Sequence, residues 1–300
     1  MTMRCIRIGR ALLLAAVSLC FTAAGDTAHA IPWGAMYIPL DVAAEAGMTG
    51  VVAHYRGERG GAQLLVDLSF AHEHGIFIIA TLGAVGPGTY LDGAGNINRD
   101  AVHRELDPFL AIADKVSPYI EDRTLWGIRF LDEPHDPAGY PRDFEVDPVE
   151  LSEFYALLQG AFPDVPIGST APPQYMSRVP GAGLAFSQIV HQKLPPGYAD
   201  PLAFLEGQAT LAHEHRLLFV ASINANTNSI GNLTFFRTYR EMCAIAQLDF
   251  ATSWQWTQGH HPQPSFEDRF TDTDPAVQAE IAGIYAACQR LEPMRDAASE

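Results

Sequence analysis

Two adjacent acidic residues, Asp132 and Glu133, stand at the end of an apolar run. A buried strand that ends in two acids places both carboxyl groups at one edge of a sheet. Neighbouring carboxylates repel each other and burial disfavours the charged form, so one of them should keep its proton to a higher pH than usual. Such a group can act as a general acid. The structural alternative is that Asp132 caps the following turn and Glu133 pairs with Arg56 or Arg129.

Other predicted strand ends carry aromatic rings, amides and histidines. Sugars require this mixture, because their C–H faces pack on indole rings and their hydroxyls need oriented donors and acceptors. Trp254 and Trp256 lie on one face of a strand, and their position at its end favours a stacking platform for at least one of them. The predicted substrate contacts are His54, Tyr55, Arg56, His191, Asn224, Trp254, Gln255 and Trp256.

The elements that position these residues alternate along the chain. Short runs rich in Ile, Val, Phe and Trp predict strands, and the segments between them predict helices. Eight such units in this order predict an α/β fold with a parallel sheet that closes into a (β/α)8 barrel. The predicted strands are Gly34–Ile38, Gly50–Tyr55, Ile76–Leu82, Leu125–Asp132, Pro166–Thr170, Phe186–Gln192, Leu217–Ile223 and Phe250–Trp256.

The helix boundaries carry capping signals. Asp147, Asp200 and Asp274 each precede a proline, an N-cap acceptor followed by a residue suited to the first helical position. Gly75 and Gly160 stand where a helix should stop. The predicted helices are Val42–Ala46, Ala62–His74, Ala101–Ile120, Pro148–Ala161, Pro201–His215, Phe235–Gln247 and Ala276–Arg290.

Long connections follow several strands, whereas most connections that precede strands are short. In a barrel the long ones all rise from the C-terminal face, where active sites are built. They are Gly83–Asp100, Pro134–Asp147, Ala171–Gly183 and Thr257–Asp274.

The first thirty residues form a signal-peptide pattern, with a basic start, an apolar run over Ala11–Ala24 and small residues at Ala28 and Ala30. Cleavage after Ala30 would leave residues 31–300 as one secreted or periplasmic barrel domain. Removing residues 1–30, which carry three arginines and one aspartate, would change the net charge from −16 to −18. Such a surface repels nucleic acid and anionic lipid. We expect a monomer that binds a carbohydrate and neither nucleic acid nor, after cleavage, a membrane.

Two cysteines remain after that cleavage, Cys243 and Cys288, each late in a predicted helix. The compartment would permit a disulfide between them, and two buried free thiols are the alternative. Cysteines in two separate helices do not form a metal knuckle.

At Asp132-Glu133-Pro134 the chain resembles the TIM-barrel glycoside hydrolases, and in particular the large clan A, in which strand four ends in Asn-Glu-Pro. The resemblance implies that Glu133 is the acid/base. Arg56 is similar to an arginine near the end of strand two in that clan, and Trp254 or Trp256 to a tryptophan at the end of strand eight. No cofactor is implied.

The chain departs from that pattern at strand seven, where clan A enzymes place a nucleophilic Glu and Leu217–Asn224 contains no acid. Asp132 could assist Glu133, as the adjacent Asp-Glu pair does in family 20 hexosaminidases. A loop acid could serve as the base of an inverting reaction, which requires a gap of about 6.5–9.5 Å between carboxyl groups. The protein could also bind sugar without cleaving it. The candidate loop acids are Asp92, Asp136, Asp200 and Asp272.

Histidines near strand ends raise one further alternative, a metal-dependent hydrolase or isomerase. His54, Glu133, His135 and His191 could converge on a divalent metal, since all lie near predicted strand ends. No dense ligand motif supports such a site, and we expect no metal.

Overall fold

The computed structural model describes residues 31–83, 89–90, 97–136, 145–189, 200–225, 230–254, 256–257 and 264–289, without the side chains of residues 188 and 189. The predicted signal peptide, His191, Gln255 and Asp92 lie outside these ranges.

Eight parallel strands form a barrel, and each strand pairs with the next one in the sequence. Strands one and eight meet where the Ala251 amide donates to the Pro32 carbonyl at 2.9 Å and Trp33 forms a parallel bridge with Ala251. The predicted (β/α)8 barrel is therefore confirmed. The strands are β1 (Gly34–Met36), β2 (Gly50–Tyr55), β3 (Phe77–Leu82), β4 (Leu125–Asp132), β5 (Ile167–Thr170), β6 (Leu184–Ile189), β7 (Leu218–Asn224) and β8 (Phe250–Trp254).

Helices alternate with the strands. The predicted helix Ala101–Ile120 is two helices, because the backbone leaves the helical path at Ile112, which has φ −112° and ψ 4°. The helices are α1 (Leu40–Glu45), α2 (Gly60–His74), α3 (Arg99–Leu110), α4 (Ala113–Glu121), α5 (Pro148–Ala161), α6 (Pro173–Met176), α7 (Pro201–Glu214), α8 (Asn232–Met242), α9 (Phe266–Phe270) and α10 (Pro275–Cys288).

The predicted caps explain where several helices begin. The carboxylates of Asp147, Asp200 and Asp274 each accept a hydrogen bond from the amide two residues later, at 2.7–2.8 Å. Gly75 ends α2 in the left-handed conformation, at φ 65°. The helix α5 ends at Ala161, as predicted, one residue beyond the stop signal Gly160.

Two apolar layers hold the barrel together. The larger one lies between the strands and the helices. The smaller one fills the inside of the barrel, so that the barrel is a packed core and not a channel. Its buried members are Met36, Val52, Ile79, Leu184, Phe186, Val220 and Phe250.

A disulfide joins Cys243, the C-cap of α8, to Cys288 at the end of α10. Of the two alternatives that the sequence leaves open, the structure has the cross-link. In the described part of the chain no helix is long and apolar enough to cross a bilayer.

Candidate active site

A cavity of about 180 Å³ opens at the C-terminal ends of the strands. Its walls come from β1, β4, β5, β6, β7 and β8, and Glu133 follows the last residue of β4. This is the face on which barrel enzymes build their active sites. The lining residues are Met36, Asp132, Glu133, Thr170, Phe186, Ser187, Ser222, Asn224 and Trp254.

A β-bulge near the end of β4 brings the two acids into this cavity. Between Arg129 and Asp132 the strand advances three residues while β5 advances two. Leu131 and Glu133 both have left-handed backbones, at φ 64° and 46°. Residues three apart on a regular strand face opposite sides, and the bulge places Arg129 and Asp132 on the same side. Non-glycine residues in this conformation cost about 1–2 kcal/mol each, and such strain concentrates at functional sites.

Arg129 lies beneath the acids and is fully buried. Its Nε donates to Thr81 Oγ1, its Nη1 to Thr170 Oγ1 and its Nη2 to the Tyr37 hydroxyl, each at 2.8 Å. Its Nη1 also lies 3.7 Å from Asp132 Oδ1. The guanidinium is thus fixed by residues at the ends of β1, β3 and β5, and it faces the first acid of the pair.

Glu133 has a raised pKa. Burial raises the pKa of Glu133 to about 7, the negative charges of Asp132 and Asp136 act in the same direction, and Arg129 opposes them. This is the behaviour expected for one member of an adjacent acidic pair. The alternative in which Arg56 pairs with Glu133 finds no support, because the Arg56 Nε lies 3.9 Å from Glu105.

Three predicted substrate contacts lie at or near the cavity. Asn224 and Trp254 line it, and the Trp254 ring meets Tyr37 edge-on with centroids 5.4 Å apart. His54 stands at the rim, where its Nε2 lies 2.6 Å from the Gly83 carbonyl oxygen and its ring 6.1 Å from that of Tyr37. Burial lowers the pKa of His54, and the charges of Arg129 and Arg56 lower it further.

Other predicted contacts lie away from the cavity. Tyr55 is 2% exposed in the layer between strands and helices, because it alternates with the inward-facing His54. Trp256 is 4% exposed in the same layer and packs on Phe266, so it is a core residue and not a platform. Arg56 is exposed beside Glu105.

Several wall residues were not predicted from the sequence, among them Thr170, Phe186 and Ser222. The period-two alternation of β7 carried a signal for Ser222, which stands two residues before Asn224. A charged residue inside the apolar run of β4 was likewise a signal for Arg129. Phe186 could not be told from an ordinary core residue.

Two of the candidate loop acids have structural roles. The Asp200 carboxylate caps α7, and that of Asp272 accepts from Asn232 Nδ2 at 2.6 Å and from the Asp274 amide at 3.0 Å. Asp136 lies in the turn after Glu133, where its amide donates to the Glu133 carbonyl at 3.0 Å. Of the candidates inside the described ranges, Asp136 is the one beside Glu133.

No metal cluster is found among the described side chains, where no group of three or more His, Cys, Asp or Glu could hold an ion. His135 is half-buried with its ring 6.1 Å from that of Tyr175, and it does not line the cavity. His191, another histidine of the metal alternative, falls outside the described ranges.

No protein-family model matches the sequence, and no curated protein matches it either. Several solved structures have a similar fold. An endo-1,4-β-mannanase from Rhizomucor miehei is 11% identical with a TM-score of 0.61, over 90% of this chain and 97% of that one. An exo-β-1,4-mannosidase from an Opitutaceae bacterium is 17% identical with a TM-score of 0.59, over 89% of this chain and 61% of that one.

A third similar structure is a family 99 endo-α-mannosidase from Bacteroides thetaiotaomicron, at 9% identity and a TM-score of 0.51, over 81% of this chain and 80% of that one. At such identities the likeness shows the fold. These three structural neighbours are a mannanase and two mannosidases.

Proposed function

We propose that this chain is a glycoside hydrolase acting on a polysaccharide or oligosaccharide, with Glu133 as the general acid/base. The observation that carries the proposal is the placement of Glu133, which has a pKa of about 7, in the wall of the cavity at the C-terminal mouth of the barrel. The fold shared with glycoside hydrolases adds support.

The chemistry follows from that pKa. A glycosidic oxygen leaves readily only when it gains a proton, and a carboxylic acid protonated near neutral pH can supply one. Asp132, beside Arg129, orients Glu133 or the sugar and stabilises positive charge that develops on the ring. Trp254 offers an indole face for stacking, and Asn224 offers an amide to a sugar hydroxyl.

Asp132 and Asp136 are the candidates for a second carboxylate. Asp132 would assist a reaction in which the substrate's own acetamido group attacks. Asp136 would act as the base of an inverting reaction, provided that its carboxyl group and that of Glu133 leave room for a water.

A non-catalytic carbohydrate-binding barrel is the second candidate. The observation that favours it is Asn224, which ends β7 at the position where the clan A resemblance calls for a nucleophilic Glu. An amide there can bind a hydroxyl but cannot displace a leaving group.

The test compares wild type with Glu133→Gln and Asp132→Asn on β-mannan, α-mannan, cello-oligosaccharides and chito-oligosaccharides. We expect product release by wild type and a loss of roughly 10²–10⁴-fold in Glu133→Gln, with binding of the same glycan retained. Unchanged turnover in Glu133→Gln would exclude the assigned role. Calorimetric binding without any product release by wild type would favour the second candidate.

We propose in addition that the protein is secreted or periplasmic and monomeric. The support is the signal-peptide pattern of residues 1–30 and the acidic charge of the remaining chain. Mass spectrometry of protein recovered from outside the cytoplasm should give a chain that begins at Ile31, and an intact Met1 terminus would contradict cleavage.

A further inference from the structure

Two buried hydroxyls in the barrel interior have no hydrogen-bond partner among the described residues. They belong to Ser222 on β7, 1% exposed, and Thr252 on β8, 0% exposed. The two residues are direct register partners across the β7–β8 pair. A hydroxyl buried without a partner is costly, and native structures rarely retain one without a reason.

Both side chains face the interior of the barrel. Ser222 lines the cavity, and Thr252 alternates between Phe250 and Trp254, which both belong to the interior of the barrel. Along the strands the pair lies two residues before Asn224 and Trp254 and two residues after Val220 and Phe250. It therefore forms a polar layer between the residues at the cavity rim and the apolar residues below them.

We propose that Ser222 and Thr252 form a hydroxyl-recognition subsite, which binds a hydroxyl group of the neutral sugar ring held beside Glu133. The proposal rests on the proposed function and specifies its substrate. One sugar hydroxyl can donate to one of these oxygens and accept from the other, so a single group satisfies both. In an eight-stranded barrel, β8 stands opposite β4, which places this wall across the cavity from the acids.

The chemistry of the walls favours an uncharged sugar ring at this point. A carboxylated sugar would face the negative charges of Asp132 and Glu133 across the same cavity. A charged group of either sign buried against Ser222 and Thr252 would lose its hydration and gain only neutral hydroxyls in return.

The chain offers a matched control in Ser253, the neighbour of Thr252. Ser253 is also buried on β8, but its Oγ donates to the Ile223 carbonyl at 3.1 Å on the helix-facing side. A structural hydroxyl and a ligand-binding hydroxyl thus lie on adjacent residues of one strand. Removing the Ser253 hydroxyl should lower stability and leave sugar binding unchanged, whereas removing the Thr252 hydroxyl should weaken sugar binding without lowering stability.

The experiment places Ser222→Ala, Thr252→Val and Ser253→Ala separately in the Glu133→Gln background, which prevents turnover. Calorimetry with β-1,4-mannotriose, cellotriose and N,N′-diacetylchitobiose gives Kd, and thermal unfolding without sugar gives Tm. We expect Ser222→Ala and Thr252→Val to weaken binding about 3- to 10-fold each, with Tm unchanged or higher. Ser253→Ala should leave Kd unchanged and lower Tm by about 2–4 °C.

Any of three other outcomes would overturn the proposed subsite. If wild-type binding or cleavage is present but Ser222→Ala and Thr252→Val bind equally well, the subsite fails and the proposed function stands. If Ser222→Ala lowers Tm as Ser253→Ala does, its hydroxyl has a structural partner. If no sugar binds either Glu133→Gln or wild type and none is cleaved, the proposed function fails and the subsite fails with it.

Discussion

Glu133 shows how a single side chain acquires a pKa suited to acid catalysis. Burial makes the largest contribution, and the charges of Asp132 and Asp136 add to it. The opposing charge of Arg129 lies against Asp132, at 3.7 Å. Burial and the neighbouring carboxylates together hold the proton on Glu133 to a higher pH than usual.

The raised pKa of Glu133 makes a prediction about stability. Its folded pKa, about 7, exceeds the ordinary value of 4.5, so between these pH values the folded state binds more protons than the unfolded state. The free energy of unfolding should therefore fall as pH rises through this window, by at most about 3 kcal/mol and by less because Glu133 is partly exposed. Glu133→Gln should lack this loss. Urea unfolding at pH 5 and pH 8 measures it, and an equal pH dependence in both proteins would contradict the assignment.

Arg129 makes a second prediction at this scale. Arg129→Met removes three hydrogen bonds and leaves Asp132 without its buried opposite charge, so the free energy of unfolding should fall by about 3–5 kcal/mol. Arg178→Met is the control, because its pair with Glu145 is exposed and should contribute less than about 1 kcal/mol. Chemical denaturation compares the two, and similar losses would mean that Arg129 is not the fixed centre of the site.

At the scale of the elements, the start of α7 provides a test of whether Asp200 is a helix cap or a catalytic acid. The Asp200 side chain accepts from the Leu202 amide at 2.8 Å. Asp200→Asn keeps a good cap and removes the charge, whereas Asp200→Ala removes both. We expect Asp200→Asn to retain stability and any glycosidase activity, and Asp200→Ala to lose about 1 kcal/mol in denaturant unfolding. Loss of activity in a stable Asp200→Asn protein would instead make Asp200 the second carboxylate.

The bulge of β4 is the element that most affects the site. Strict alternation from Arg129 would send Asp132 to the opposite side of the sheet. The left-handed Leu131 changes this, and nothing in the identity of a leucine predicts such a conformation. The sequence thus predicted two acids at the end of the strand, but not that the first of them would face a buried arginine.

At the scale of the whole molecule, the disulfide ties the last helix to the barrel. Cys243 and Cys288 are 45 residues apart and join the ends of α8 and α10. In the protein that begins at Ile31, replacing both by serine should lower the free energy of unfolding by roughly 2–4 kcal/mol. Denaturant curves with and without reductant measure this, with the serine variant as the control that reductant should not affect. Two titratable thiols in the denatured, unreduced protein would contradict the cross-link.

The order of strands and helices was determined by local sequence. Apolar runs of strand length, Asp-Pro starts and the alternation of units are short-range signals, and they predicted eight strands whose boundaries differ from the observed ones by a few residues. Because parallel strands with intervening helices place all their C-terminal ends on one face, the sequence also predicted where Glu133, Asn224 and Trp254 would meet.

Tertiary structure alone decided which neighbours these residues would have. Tyr55 and Trp256 lie in the core between the strands and the helices, whereas Arg129 and Ser222 lie in the barrel interior. The two cysteines lie close enough to form a disulfide. Facing direction depends on bulges and strand ends, and contact depends on segments far apart in the chain. Composition and hydrophobic periodicity cannot specify which distant residues come into contact, because these contacts form only when all eight strands close around one axis.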